Sequence, residues 1–135
     1  MLSKSDYLKY LQCDRYLWLF KNKRNLLKDS ELSINARRVI DEGNEVEQYA
    51  RLLFSNGKLV EGFNEKARAN TKRLLKAGET TLFQATVMVD ELIAMADIFK
   101  FDKENDFWEI NEVKATSKVE DEHVADATFQ KIAFE

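Results

Sequence analysis

Apolar residues recur along this chain in two rhythms, and the change between them falls near residue 80. Before it, Tyr7, Leu8, Leu11, Leu17 and Trp18 include helical spacings. Ser3 or Ser5 can cap that helix, which is expected to run to about Phe20. The polar segment "KNKRNLLKDSEL" reads as a connection. Ser33 can cap a second helix, in which Ile40, Gly43, Val46, Ala50 and Leu53 recur every three or four residues until Asn56-Gly57 ends it. Asn64 can cap a third, "NEKARANTKRLLKA", with Gly78 where a C-terminal glycine stop belongs. The pattern then turns to strands. "TLFQATVMV", "LIAMADIFKF" and "DFWEINEVKA" are rich in β-branched and aromatic residues, and the turns Asp90-Glu91 and "DKEND" separate them. They predict a three-stranded antiparallel meander. "EDEHVADATFQKIAFE" returns to helical spacing through Val124, Thr128 and Ile132, with Ala127 and Phe134 nearby. No stop signal closes this last helix, a pattern expected of the N-terminal fragment of a longer protein. The order predicts an α+β fold, helices packed on a small sheet, in one domain spanning 1–135.

Composition narrows the class. With 44% hydrophobic residues the chain can bury a core, and no long uncharged apolar run suggests a membrane span. The start "MLSKSDYLKYLQC" lacks a signal core with a cleavage site. The single Cys13 excludes an internal disulfide framework and fits a reducing, cytoplasmic compartment, and the single His123 excludes a multi-histidine metal site within the chain. A net charge of −3 argues against a strongly basic nucleic-acid binder. The charge is uneven, however: residues 1–40 hold nine Lys or Arg against four Asp or Glu, and the remainder twelve against twenty. The basic part could meet phosphates while the acidic part holds cations; the alternative is an unevenly charged solvated surface.

Candidate chemistry gathers on the second and third strands. Asp97 lies in "AMADIFKF" beside Ile98 and Phe99, where burial of an ionised carboxylate requires a partner or a metal. Glu112 and Lys114 are two apart and so share a face of the following strand. The midpoint of 97 and 112 lies within "DKEND", so a hairpin there sets Asp97 beside Glu112. Like charges across a strand pair cost about 0.2–1 kcal/mol. A divalent cation offsets that, since Mg²⁺ is held by one or two carboxylates plus waters and substrate phosphate. Lys114 could then orient or help deprotonate the attacking water and stabilise charge in the transition state. E-x-K alone favours a solvated strand face; with Asp97 upstream on the neighbouring strand, the site and the solvated face are equally compatible with the sequence.

The segments "DEGNEVEQYAR", "MADIF", "EINEVKATS" and "DATFQKIAF" resemble, in order, the motifs of the PD-(D/E)XK nuclease superfamily. Within it the chain is most similar to the RecB-like exonucleases and their CRISPR-associated relatives. It is closer still to an uncharacterised bacterial family whose N-terminal signature matches "LSKSDYLKYLQCDRYLWLF". The resemblance covers nearly the whole chain, although that family's proteins are longer. It implies a restriction-endonuclease-like core, Mg²⁺ or Mn²⁺ as cofactor, and DNA as partner, with single-stranded ends a possible form. It implies metal ligation by Asp97 and Glu112 and catalysis by Asp97, Glu112 and Lys114. Glu47 stands where RecB-like members carry a ligating histidine and becomes the third metal ligand. Gln130 matches a motif glutamine that contacts the phosphate backbone; the tyrosine four residues on is Phe134 here. Cys13 matches the first of four cysteines that hold a [4Fe–4S] cluster in iron–sulfur nucleases of the group, so the cluster would need a longer chain. The alternative for Cys13 is a small buried hydrophobe.

Trp18 and Trp108 are expected in the core, not as base-stacking platforms. His123 precedes the last helix as a surface residue or a phosphate contact, and Arg37, Arg38, Lys72 and Arg73 read as solvated helix faces that could touch phosphates. Two functions follow: metal-dependent hydrolysis of DNA phosphodiesters, or a non-catalytic module of the same fold that binds nucleic acid or protein.

Overall fold

In the computed structural model, residues 1–27 and 34–135 are described. In chain order the elements are β1 (Leu2–Ser3), α1 (Lys4–Gln12), α2 (Asp14–Asn22), a 3-10 turn (Arg24–Leu26), α3 (Ile34–Leu52), β2 (Lys58–Leu59), α4 (Glu65–Lys76), β3 (Thr81–Val89), β4 (Leu92–Asp102), β5 (Phe107–Asn111) and α5 (Asp121–Phe134). The architecture is mixed α and β, with five α-helices and a five-stranded mixed sheet among the described residues. The expected Ser33 cap lies outside the described residues.

The meander forms as the turns dictate. β3 and β4 pair antiparallel from Thr81↔Lys100 to Val89↔Leu92, and β4 and β5 pair antiparallel from Ile98↔Asn111 to Asp102↔Phe107. Two short strands add parallel pairings that periodicity did not reveal: β2 on β3, and β1 on β4 through Leu2↔Leu92 and Ser3↔Ile93. Two residues are too few to show alternation. β3 occupies one edge of β4, so β1 and β5 share the other, β1 at its start and β5 at its end. Between them the edge of β4 is open over residues 94–97.

Local signals set the helix ends. Ser3 caps α1 in a reciprocal box with Asp6, each side chain accepting from the other's backbone N–H. The single helix expected from Ser3 to Phe20 is broken in two at Cys13, whose backbone is extended (φ −171°, ψ 124°). Asn64 caps α4 by accepting from the Ala67 N–H at 3.1 Å. Gly78, at φ 85°, closes that helix in a Schellman turn: the Gly78 N–H donates to the Leu75 carbonyl and the Glu79 N–H to that of Leu74.

The core lies between the sheet and helices α4 and α5. Val60, Ala67, Leu74, Leu82, Ala85, Ala96 and Phe99 form its larger cluster, and Ala94, Phe129 and Ala133 the smaller, with Tyr7 stacked on Phe129. Trp108 stacks on Phe99 with ring centroids 4.5 Å apart but is 38% exposed, and Trp18 is 57% exposed, so neither tryptophan is buried in the core as expected. The apolar stripe read on the last helix is also corrected. Val124 and Ile132 face solvent at 55% and 59% exposure, and α5 buries Asp126, Phe129, Gln130 and Ala133 instead. Polar residues on the buried face hid it from the hydrophobic pattern. A direct consequence is measurable by urea unfolding: Phe129→Ala lowers stability by about 3–5 kcal/mol, while Val124→Ser changes it by less than about 0.5 kcal/mol. Equal effects would return the helix to the orientation that its apolar spacing suggests.

Candidate active site

Where the β4–β5 ladder stops, the backbone keeps a partner by changing it. The last ladder pair is Ile98↔Asn111, and one step further Asp97 stands opposite Glu112. There the Val113 N–H donates to Asp97 Oδ2 at 2.8 Å. Glu112 and Lys114 therefore lie just past the end of β5, not within it as the strand pattern suggested. They still point the same way, because Lys114 Nζ donates to Glu112 Oε1 at 2.7 Å.

On the other side of Asp97 the β3–β4 pairing passes from Phe83↔Ile98 to Ala85↔Ala96, which sets Gln84 opposite Asp97. Gln84 has φ 54°, a left-handed backbone in mid-strand. Such conformations cost on the order of 1–3 kcal/mol outside glycine and persist where the surroundings impose them. Its amide donates to Glu47 Oε1 at 3.1 Å, and Arg51 donates to the same oxygen at 2.5 Å.

Glu112 is the most connected of these side chains. Its Oε1 accepts from both Lys114 and Lys4, each at 2.7 Å, and its Oε2 accepts from the Gln130 amide at 2.5 Å. Asp126 Oδ2 meets the same two ammonium groups, Lys114 at 2.6 Å and Lys4 at 3.1 Å. Lys4 and Asp126 were not recognised as site residues. Asp126 offered a signal: it shares a helix face with Gln130, four residues on. Lys4 offered none, because its partners are more than a hundred residues away.

Gln130 is fully buried and bonded to Glu112. In that place its amide orients the carboxylate. Cys13 is exposed, not a buried hydrophobe, and its chain holds no second cysteine with which to share a cluster. Arg37, Arg38, Lys72 and Arg73 are exposed, as read.

Lys4, Glu47, Asp97, Glu112, Lys114 and His123 line one cleft of about 340 Å³. His123 Nδ1 accepts the Glu120 N–H at 3.0 Å, which leaves Nε2 as the nitrogen that carries the proton in the neutral ring. A larger cavity of about 710 Å³ elsewhere contains none of the motif residues.

The charges in the cleft are strongly perturbed. Burial first, and then the charge of Glu112, push the Asp97 carboxyl up to about 6, against the Val113 N–H and Lys4. Burial also works against ionised Glu112, but the hydrogen bonds from Lys114, Lys4 and Gln130 overcome it and hold that group down at about 2. For Lys114, burial is outweighed by Asp126 and Glu112, which raise it well above the ordinary lysine range. Lys114 thus stays an ammonium at neutral pH.

Among the described residues no group of three His, Cys, Asp or Glu side chains is gathered tightly enough to hold a metal ion. Mg²⁺ does not require three: one or two carboxylates with waters suffice. Asp97 and Glu112 supply hard oxygen donors on adjacent positions of one cleft, and the charge of Glu112 adds to burial in raising the Asp97 carboxyl. The donor set fits Mg²⁺ or Mn²⁺. Glu47 lines the same cleft, but Arg51 and Gln84 already occupy its Oε1.

The folded chain binds the Asp97 proton more tightly than the unfolded chain does. Stability is therefore lost as pH rises from about 4 through about 6. The opposite holds for Glu112, whose contribution is present above about pH 4.5 and lost as pH falls toward 2. Between pH 4.5 and 7 the Asp97 effect should cost the wild type about 2 kcal/mol relative to Asp97→Asn. Urea unfolding of both proteins at the two pH values measures it. Parallel curves would show that Asp97 titrates as an ordinary carboxyl.

No family model matches the chain, and no curated protein or solved structure is detectably similar to it.

Proposed function

We propose that the cleft hydrolyses DNA phosphodiester bonds with the aid of Mg²⁺ or Mn²⁺. The observation that carries this reading is the alignment of Asp97 and Glu112 across the end of the β4–β5 ladder, with Lys114 bonded to Glu112 in the same cleft. Asp97 and Glu112 would hold the ion, with Glu47 behind them. When bound, the ion supplies a Lewis acid for the phosphate oxygen and acidifies a water.

The chain's own residues do the rest. Gln130 and the two lysines fix the Glu112 carboxylate in one orientation. The Val113 N–H fixes Asp97. Lys114 keeps its proton, so it acts as a fixed positive charge toward the attacked phosphate and not as the base that removes a proton from water. Asp126, 2% exposed, holds that ammonium at 2.6 Å. A second reading, a non-catalytic binding module, is favoured by one observation: Glu112 already has every oxygen paired within the chain.

Single-turnover cleavage of end-labelled single- and double-stranded DNA, with EDTA as control, separates the two. Lys114→Ala should cut about a hundredfold or more slowly, as when one preorganised charge is removed from a transition state. DNA binding should change little, since the loss falls on the chemical step. Equal rates would remove Lys114 from the mechanism. A wild type that binds Mn²⁺ but cuts neither strand form would favour the binding module.

A further inference from the structure

We propose that Lys4 is a charge placeholder: its ammonium holds the Glu112 carboxylate until a divalent cation competes for it, and it then leaves that oxygen. The inference rests on the metal-dependent reading above, in which Lys4 only helps to orient Glu112.

Three observations lead to it. First, Lys4 occupies the first position of α1, directly after the Ser3 cap. A cation there meets the positive end of the helix dipole, where acidic residues are favoured. A residue that breaks its local preference needs a tertiary reason, and here the reason is the cleft. The β1 pairing puts Ser3 against Ile93 on the open edge of β4, so Lys4 enters the gap between β1 and the end of β5. It reaches Glu112 Oε1 at 2.7 Å and Asp126 Oδ2 at 3.1 Å.

Second, Lys4 duplicates a bond already made. Lys114 meets the same two oxygens at 2.7 and 2.6 Å. Pairing of Glu112 and Asp126 does not require a second ammonium, and two cations on one oxygen repel each other. The third carboxylate, Asp97, accounts for the extra charge: Asp97, Glu112 and Asp126 face Lys4 and Lys114. A divalent ion between Asp97 and Glu112 would turn that balance from a deficit of positive charge into an excess.

Third, Lys4 is the lysine better able to leave. Its hold on Asp126 is the longer of the two, 3.1 Å against 2.6 Å, although both lysines line the cleft and are about equally exposed, at 30% and 31%. Its removal takes one of two donors from Oε1, while Lys114 on Oε1 and Gln130 on Oε2 keep the carboxylate oriented.

The test is Mn²⁺ binding by calorimetry to the wild type, Lys4→Met and Lys4→Arg, with circular dichroism as the folding control. Lys4→Met should bind Mn²⁺ roughly tenfold or more tightly, because a unit charge within a few ångströms of the ion has been removed. Lys4→Arg, which keeps the charge, should stay near the wild type. A lysine that only braced the site would weaken binding when lost, so unchanged or weaker binding by a folded Lys4→Met overturns the proposal. Lys4→Gln keeps a donor to Glu112 without the charge and decides the matter if Lys4→Met does not fold. Mn²⁺ binding by Lys4→Met or Lys4→Gln alone, with none by the wild type, would be the proposal's strongest form. Absence of binding in every protein would overturn the metal-dependent reading and this proposal with it, whereas wild-type binding with no gain in the charge-free variants overturns the placeholder alone.

Discussion

The Glu112 carboxylate joins three parts of the chain that are far apart in sequence. Lys4 comes from the start of α1, Lys114 from the segment after β5, and Gln130 from α5, and all three donate to it. An ionised carboxylate with a side chain only 10% exposed is tolerable because each oxygen has a donor. Oε2 depends on Gln130 alone, whereas Oε1 has both lysines. The same network explains why α5 buries a polar face: Asp126 and Gln130 are drawn inward by the lysines and the glutamate, and the apolar Val124 and Ile132 are left outside.

The sheet places this network by stopping. A continued β4–β5 ladder would pair the Val113 N–H region with backbone and give Asp97 no donor. The ladder ends one rung early, and the free N–H turns to the Asp97 side chain. On the opposite edge Gln84 breaks the neighbouring ladder with a left-handed backbone and reaches Glu47 on α3. Both irregularities fall on the rung that contains Asp97. A regular sheet would have satisfied every backbone group locally and left no directed donors for side chains. Departure from regular pairing at one rung is how the fold concentrates acidic groups there, and the strain at Gln84 is its local cost.

Much of this was legible in the sequence, and the boundary is physical. The two long strand pairings and their register followed from period-two patterning and the position of "DKEND", and these alone set Asp97 opposite Glu112. Caps at Ser3 and Asn64 and the stop at Gly78 were readable because each acts within a few residues. What was missed depends on contacts distant in sequence. The β1 and β2 pairings involve two residues each. The break at Cys13 leaves helical residues on both sides, so periodicity runs through it. On α3, the expected stripe through Ile40, Val46 and Leu53 is largely exposed, and the helix is tied to the sheet by Glu47 instead.

Lys4 is the sharpest case of that boundary. In sequence it is one lysine among nine basic residues in the first forty, beside a serine cap that accounts for its neighbourhood completely. Only the parallel contact of β1 with the start of β4 carries it to the far side of the sheet edge, opposite the segment that follows β5. The basic N-terminal part and the acidic remainder therefore meet in the fold where Lys4 pairs with Glu112 and Asp126. The uneven charge pattern is thus in part an internal pairing between the two ends of the chain, and only what remains outside those pairs is available to an external partner.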